Sequence, residues 1–329
     1  MTQVWLVLAV VAVVLYLVWA WRNGSPWLVR LLVSLEQRRV GLSKAQIQAD
    51  GIEFQYLHDG EGATPAAKPD DQRPILVLIH GFGGDANHWL GIAPLLTPHF
   101  QLYMPEVPGY GETAFPSGGE LSIDAQSQRL AAFIDAIGIE QCYVAGNSMG
   151  GYLAAMLGQQ IPEKIRALWL LNPAGVHGAE LTPLIAEATE EHGDNALIPM
   201  NFIEFERLRR SVFVTPPLLP RPVAASVIRR CQQRIRLYKR LFEAMCFAST
   251  PLDNFAAQLT MPVLLVWGDE DRVLHPSAAP VLEQLVPNIQ SVMMKNMGHC
   301  PMIEAPEPSA KDFERFVKSL GNPLTSPKG

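Results

Sequence analysis

Gly146-Asn147-Ser148-Met149-Gly150-Gly151 is a G-x-S-x-G run that directly follows the apolar stretch Cys142–Ala145 and precedes a segment of helical periodicity. On a strand–turn–helix such a run forms a nucleophile elbow. Small residues flank the serine because the turn leaves no room for side chains, and the strained corner lifts the Ser148 hydroxyl into a cleft. A serine so placed attacks acyl carbons, forming an acyl-enzyme that water then resolves.

An acyl-transfer serine needs a base, an acid that orients the base, and donors for the alkoxide. His80-Gly81-Phe82-Gly83-Gly84 ends the apolar run Ile75–Ile79, and a glycine-rich turn lets backbone N–H groups face a cavity. Fixed backbone donors stabilise an oxyanion best, so the N–H groups of Phe82 and Met149 are the expected oxyanion hole. His80, at a strand end, is expected to brace the turn rather than act as base. Asp269, Glu270 and Asp271 follow the apolar run Val263–Trp267, and His299 follows Ser291–Lys295. The order Ser, acid, His differs from that of the two best-known protease arrangements. His299 is the expected general base, and the G-x-x-D spacing favours Asp271 over its two neighbours as the residue that holds the imidazole tautomer. Cys300 is expected to pack.

These residues are useful only on a scaffold that brings them together. Ile75–Ile79, Gln101–Met104, Cys142–Ala145, Ala167–Leu171 and Val263–Trp267 read as strands buried on both faces, with Ile52–Leu57 as an alternating leading strand. Ser122–Ile137, which Ser122 can cap, and Met149–Gln160 read as helices, as does a stretch near Ser309–Leu320. Strand–helix alternation predicts an α/β fold with a mainly parallel sheet covered on both sides. Glu61–Arg73, rich in Gly, Ala, Pro and Asp, reads as a loop. Residues 176–255 break the rhythm with several prolines, helical character and no clear strand, a natural place for a helical lid. The expected division is an anchor over 1–22, a juxtamembrane amphipathic helix over 23–50, the α/β core over 51–175 and 256–320 with the lid between, and a tail over 321–329.

The anchor rests on Val4–Trp21, 18 residues without a charge, which as a helix reach roughly 27 Å, close to the hydrocarbon thickness of a bilayer. Trp5, Trp19, Trp21 and Trp27, four of the chain's seven tryptophans, lie near its ends, where indole prefers the headgroup boundary. A cleaved signal peptide fits poorly, lacking a basic n-region and an A-x-A-like site. After Pro26, Leu28, Leu31, Leu32 and Leu35 fall at i, i+3, i+4, i+7. This helix can lie in the interface, pair with a second copy to form a homodimer, or pack on the following domain. Arg22, Arg30, Arg38, Arg39 and Lys44 all follow the span, which favours a cytoplasmic domain by the positive-inside rule.

Over 329 residues the chain is 48% hydrophobic and 18% charged, with a net charge of −6; this excludes intrinsic disorder. Its four cysteines form no CxxC pair, so neither a disulfide scaffold nor a cysteine-based metal site is indicated. Residues 201–240 carry ten Lys/Arg against two acids, but the rest is acidic, which argues against nucleic-acid binding.

From about residue 50 to 320 the chain resembles the α/β-hydrolases, and in pattern the single-span membrane-anchored lipases: monoacylglycerol lipases and bacterial inner-membrane phospholipases A. The resemblance is carried by HGFGGDANHW at 80–89, PGYG at 108–111, GNSMGG at 146–151, NPAG at 172–175, WGDED at 267–271 and GHCPMIEAP at 298–306. Glu106 departs from it, since the family more often has Asp before the P-G-x-G turn. The resemblance implies an α/β-hydrolase fold, a Ser-His-Asp triad without metal or cofactor, glycerolipid or phospholipid substrates, and an inner-membrane protein with a periplasmic catalytic domain. Relatives that break alkyl–halogen bonds or epoxides carry a carboxylate where this chain has Ser148. Hydrolysis of carbon–carbon bonds in ring-cleavage products, or of short-chain carboxylic esters, is the alternative. If lipids are the substrates, Leu181, Leu184, Ile185, Leu197, Ile198, Phe202 and Phe205 of the lid are expected to line an acyl channel. The basic residues of 201–240, among them Arg207, Arg209, Arg210, Arg230, Arg234 and Arg240, are then expected to meet anionic headgroups.

Overall fold

A computed structural model describes residues 21, 25–60, 71–190 and 195–321. The expected membrane span therefore lies outside the described residues, Trp21 apart, as does most of the expected loop at 61–73. Among the described residues no helix is long and apolar enough to cross a membrane.

Helix α1, Pro26–Arg39, opens with proline at its first position, where the missing N–H costs nothing, and closes with Arg38 and Arg39 beside its exposed carbonyls. The stretch expected to be helical to residue 50 stops there. Ser43–Ala49 is a strand, β1, antiparallel to β2, Ile52–His58. Asp50 and Gly51 join them, both with positive φ (49° and 70°), as a tight hairpin turn requires. The sheet thus begins before residue 51.

Six further strands follow: β3 Ile75–Ile79, β4 Gln101–Pro105, β5 Cys142–Asn147, β6 Ile165–Leu171, β7 Val263–Gly268 and β8 Ile289–Met294. The sheet order is β1-β2-β4-β3-β5-β6-β7-β8, with the β1–β2 and β2–β4 pairs antiparallel and the other five pairs parallel. Helices α2, Ile123–Ile137, and α3, Met149–Gln160, bury one face. Ser122 caps α2 by accepting the Ala125 N–H at 3.2 Å. The cap follows, with α4 Pro183–Thr189, α5 Phe202–Val212 and α6 Arg221–Phe247, and it holds no strand among the described residues. Then come α7, Ala278–Leu285, and α8, Pro306–Ser319. From α8, Phe313 stacks flat on Trp169 of β6 at 4.5 Å on the sheet's other face, a contact worth about 0.5–1.5 kcal/mol beyond the area it buries. Parallel strands covered on both sides leave the strand carboxyl ends as the place where loops converge, and there every candidate residue lies.

Candidate active site

β5 runs straight into α3, and Ser148 is the only residue between them. Its backbone sits at φ 59°, ψ −121°, a region costing a non-glycine residue roughly 1–3 kcal/mol. The neighbouring glycines show why. A Cβ on Gly146 would lie 2.0 Å from the Gly150 carbonyl oxygen, and one on Gly150 would lie 2.1 Å from that of Ile79. Ser148 N–H donates to the Leu171 carbonyl, and its own carbonyl accepts from Tyr152 and Ala174.

His299 and Asp271, 28 residues apart, meet at these strand ends: imidazole Nδ1 lies 2.8 Å from Asp271 Oδ2, both side chains buried. Asp271 accepts three more hydrogen bonds, from Asn172 Nδ2 (2.7 Å) and from the N–H groups of Val273 (2.8 Å) and Leu274 (3.0 Å). These bonds fix the carboxylate, which takes up imidazole Nδ1 and leaves Nε2 as the nitrogen turned away from it. Asp269 instead pairs with Lys295 at 3.3 Å, and Glu270 with Arg272 near the surface. Asn147, beside the serine, donates to the His299 carbonyl at 2.9 Å and accepts from Cys300 Sγ at 3.3 Å. The serine turn and the histidine loop are therefore tied directly. Glu304 accepts from Gly298 N–H with one oxygen and from Thr215 N–H with the other, fastening the histidine loop to the cap. Asn147, Asn172 and Glu304 stand inside motifs singled out in the sequence, but nothing in a linear pattern gave them roles.

The His80–Gly84 turn, the expected oxyanion turn, lies beside the elbow: a Cβ on Gly81 would be 3.4 Å from that of Ser148. Gly84 N–H closes the turn on the Gly81 carbonyl at 3.1 Å, with Gly83 at φ 72°. His80 is fully buried; its Nε2 accepts the Val107 N–H at 3.0 Å, so Nδ1 carries the proton and donates to the Gly81 carbonyl at 2.8 Å. Burial lowers its pKa to about 4, leaving a neutral ring that braces two turns. The ring of Phe82 contacts Tyr110, Tyr238 and Phe242 at 5.7–5.9 Å.

Between cap and core lies a cavity of about 330 Å³. Its walls come from Pro173–Val176, from Leu181, Ile185 and Thr189, from Phe242, Met245 and Cys246 of α6, and from Trp267, Val273 and Leu274. It thus abuts residues bonded to Ser148 and Asp271. Of the seven lid residues expected to line an acyl channel, only Leu181 and Ile185 line this cavity. Phe205 is buried against α6, Ile198 in the main core, and Phe202 lies exposed under the Arg221 guanidinium at 4.8 Å. The basic segment also divides. Arg230 turns inward to Asp85 at 2.6 Å and Arg234 to the Gly109 carbonyl at 3.1 Å, so neither faces headgroups. Among the described residues no cluster of His, Cys, Asp and Glu has the arrangement to hold a metal ion.

The sequence matches the pattern of the alpha/beta hydrolase fold over residues 74–306. It is 32% identical over 297 residues to lipase 1 of Psychrobacter immobilis, covering 88% of each chain. Monoacylglycerol lipase abhd6-B of Xenopus laevis is 27% identical over 302 residues, 89% of this chain and 87% of the relative. Among solved structures, a membrane phospholipase A described as a bacterial virulence factor superposes with a TM-score of 0.84 at 33% identity, covering 98% of both chains.

Proposed function

The chain belongs to the alpha/beta hydrolase fold family, and on that premise we propose that it is a serine hydrolase of lipid carboxylic esters, held at a membrane by its amino-terminal segment. The observation that carries the assignment is the buried His299–Asp271 pair, joined through Asn147 to a strained Ser148. His299 Nε2 takes the Ser148 proton as the hydroxyl attacks the ester carbonyl. The N–H groups of Phe82 and Met149 receive the alkoxide. His299 then protonates the departing alcohol, leaving an acyl-enzyme, and activates the water that releases the fatty acid. The triad needs no metal or cofactor.

Lipid substrates, acylglycerols or phospholipids, are supported by the named activities of the relatives and by the cavity. Its volume of about 330 Å³ is at the small end of the roughly 300–1,000 Å³ of small-molecule pockets, which suits one medium-length acyl chain. Residues 176–255 act as the lid over it. Membrane attachment is supported by the uncharged run over residues 4–21 and by exposed Trp27, Leu31 and Leu35 on α1, with Leu218 and Leu219 on the cap. By resemblance to bacterial relatives the membrane is the inner one and the domain faces the periplasm. The same face of α1 is where a second copy would pair.

Purified protein is expected to release fatty acid from phosphatidylcholine vesicles or monoacylglycerol micelles, and Ser148→Ala to abolish that release. Retained turnover in Ser148→Ala defeats the triad. Activity on nitrophenyl butyrate alone reduces the protein to a short-chain esterase, and cleavage of a ring-opened dienoate without any ester makes it a carbon–carbon hydrolase.

A further inference from the structure

Helix α6 meets the glycine-rich turns of the core along one stripe at intervals of four residues. Arg230 binds Asp85, which directly follows the oxyanion turn, and Arg234 binds the Gly109 carbonyl of the neighbouring P-G-Y-G turn. Tyr238 stacks on Tyr110 at 5.4 Å, and Phe242 contacts Phe82 itself. Asp85 is the point where a second element joins. Its Oδ1 accepts both the backbone and the side-chain amide N–H of Asn87, at 3.0 and 2.9 Å, while Oδ2 takes Arg230. The Asn87 side-chain oxygen in turn accepts from Gln37 Nε2 at 2.8 Å. Gln37 lies on α1, the helix that follows the amino-terminal apolar run and packs beside α6.

A carboxylate at this depth is costly unless paired, and a well-packed apolar residue in its place is often no less stable. Its value is positional. Asp85 is separated from Phe82 only by Gly83 and Gly84, which have no side chains to lock the turn. A Cβ on Gly84 would strike the His88 ring at 2.4 Å, so the short helix Ala86–Trp89 folds tightly over the turn and transmits the position of Asp85 to it. We propose that Asp85 is a positioning residue through which the cap helix and the membrane-proximal helix together set the aim of the Phe82 N–H at the oxyanion. Seating of the cap and completion of the oxyanion hole are then one event, to which α1 adds the state of the membrane-bound segment. The proposal rests on the serine-hydrolase reading and adds regulation of that site.

The test uses the full-length chain in detergent micelles and nitrophenyl butyrate, a substrate too short to depend on the acyl cavity. Misplacing a reacting group by about 1 Å costs on the order of 10²-fold in rate. Arg230→Met is accordingly expected to lower kcat roughly ten- to a hundredfold, with KM within about twofold. Arg230→Lys, which keeps the charge, restores most of the rate, and Gln37→Leu lowers kcat several-fold. Thermal melting reports stability separately. A folded Arg230→Met with wild-type kcat, or a loss carried wholly by KM, overturns the proposal. Should Arg230→Met not fold, wild-type kcat in Gln37→Leu overturns it. Persisting turnover in Ser148→Ala sinks the underlying reading instead, whatever Arg230 does.

Discussion

The nucleophile turn and the oxyanion turn touch, but they are supported in different ways. Gly146–Gly151 is held by the sheet and by α3: its glycines are there because backbone from β3 and α3 comes within 2.0–2.1 Å of where a Cβ would stand. His80–Gly84 has open space at Gly83 and takes its position from a buried histidine, a short helix and an ion pair reaching 145 residues along the chain to the cap. On the proposed mechanism the attacking group is thus built into the core, and the group that receives the charge depends on peripheral elements.

The sharpest division concerns the acids beyond the elbow. Asp271→Asn is expected to lower kcat by about 10³–10⁴-fold, because the amide stabilises the wrong imidazole tautomer. Asp269→Asn, which loses only a partly exposed lysine pair, changes kcat by no more than about threefold. Steady-state kinetics on one ester decides between them, and equal losses would return the assignment of the acid to the whole Asp269–Asp271 loop.

Between the turns themselves, Gly150→Ala is expected to cost roughly 4 kcal/mol or more, as overpacking against fixed backbone does. Gly83→Ala is expected to cost only about 1–2 kcal/mol, the penalty of its left-handed φ. Chemical denaturation of both variants measures the gap. Comparable losses would mean that the oxyanion turn is as tightly built as the elbow.

The oxyanion side also carries Glu106, whose carboxyl accepts the Glu112 N–H at 2.5 Å. Burial, reinforced by the charge of Asp85, raises its pKa from 4.5 to about 7. Between those values the folded state binds the proton and the unfolded state does not, so stability falls as pH rises through about 7. Glu106→Gln removes that loss. Its melting temperature is expected to match the parent at pH 5 and to exceed it at pH 8 by the equivalent of about 1–3 kcal/mol; a constant difference across pH would refute the assignment.

The smallest effect tests the cavity that Phe242 shares with the oxyanion turn. Ile185→Trp should reduce turnover of a decanoate ester about tenfold relative to a butyrate ester, close to 1.4 kcal/mol. An unchanged chain-length profile would place the acyl chain elsewhere.

Much of the fold and of the proposed site was legible in the sequence because its residues sit in short motifs at strand ends: Ser148 after β5, Asp271 after β7 and His299 after β8 need only the strands to be placed. The hairpin at Asp50-Gly51 carried its own turn signal between two alternating runs, obscured by the leucine periodicity just before it. The inward face of α6 was hidden for a different reason. Its stripe alternates chemistry, two arginines and then two aromatics, so a search for an apolar face turns the helix so that Arg230 and Arg234 point to solvent. Their partners, Asp85 and the Gly109 carbonyl, lie more than a hundred residues away, and no local pattern joins them. Phe205 and Ile198 escape a linear reading in the same way, since hydrophobicity marks them for burial without saying against what.

The His299 N–H donates to the Val212 carbonyl at 2.7 Å, and a Cβ on Gly298 would lie 2.4 Å from that same oxygen. The last turn of α5 is therefore moulded onto the backbone of the proposed base. Anyone exchanging the 176–255 insert for that of another hydrolase, to graft a new selectivity, must supply a carbonyl at that spot, or the chimera will bind its new substrate beside an imidazole that no longer holds still.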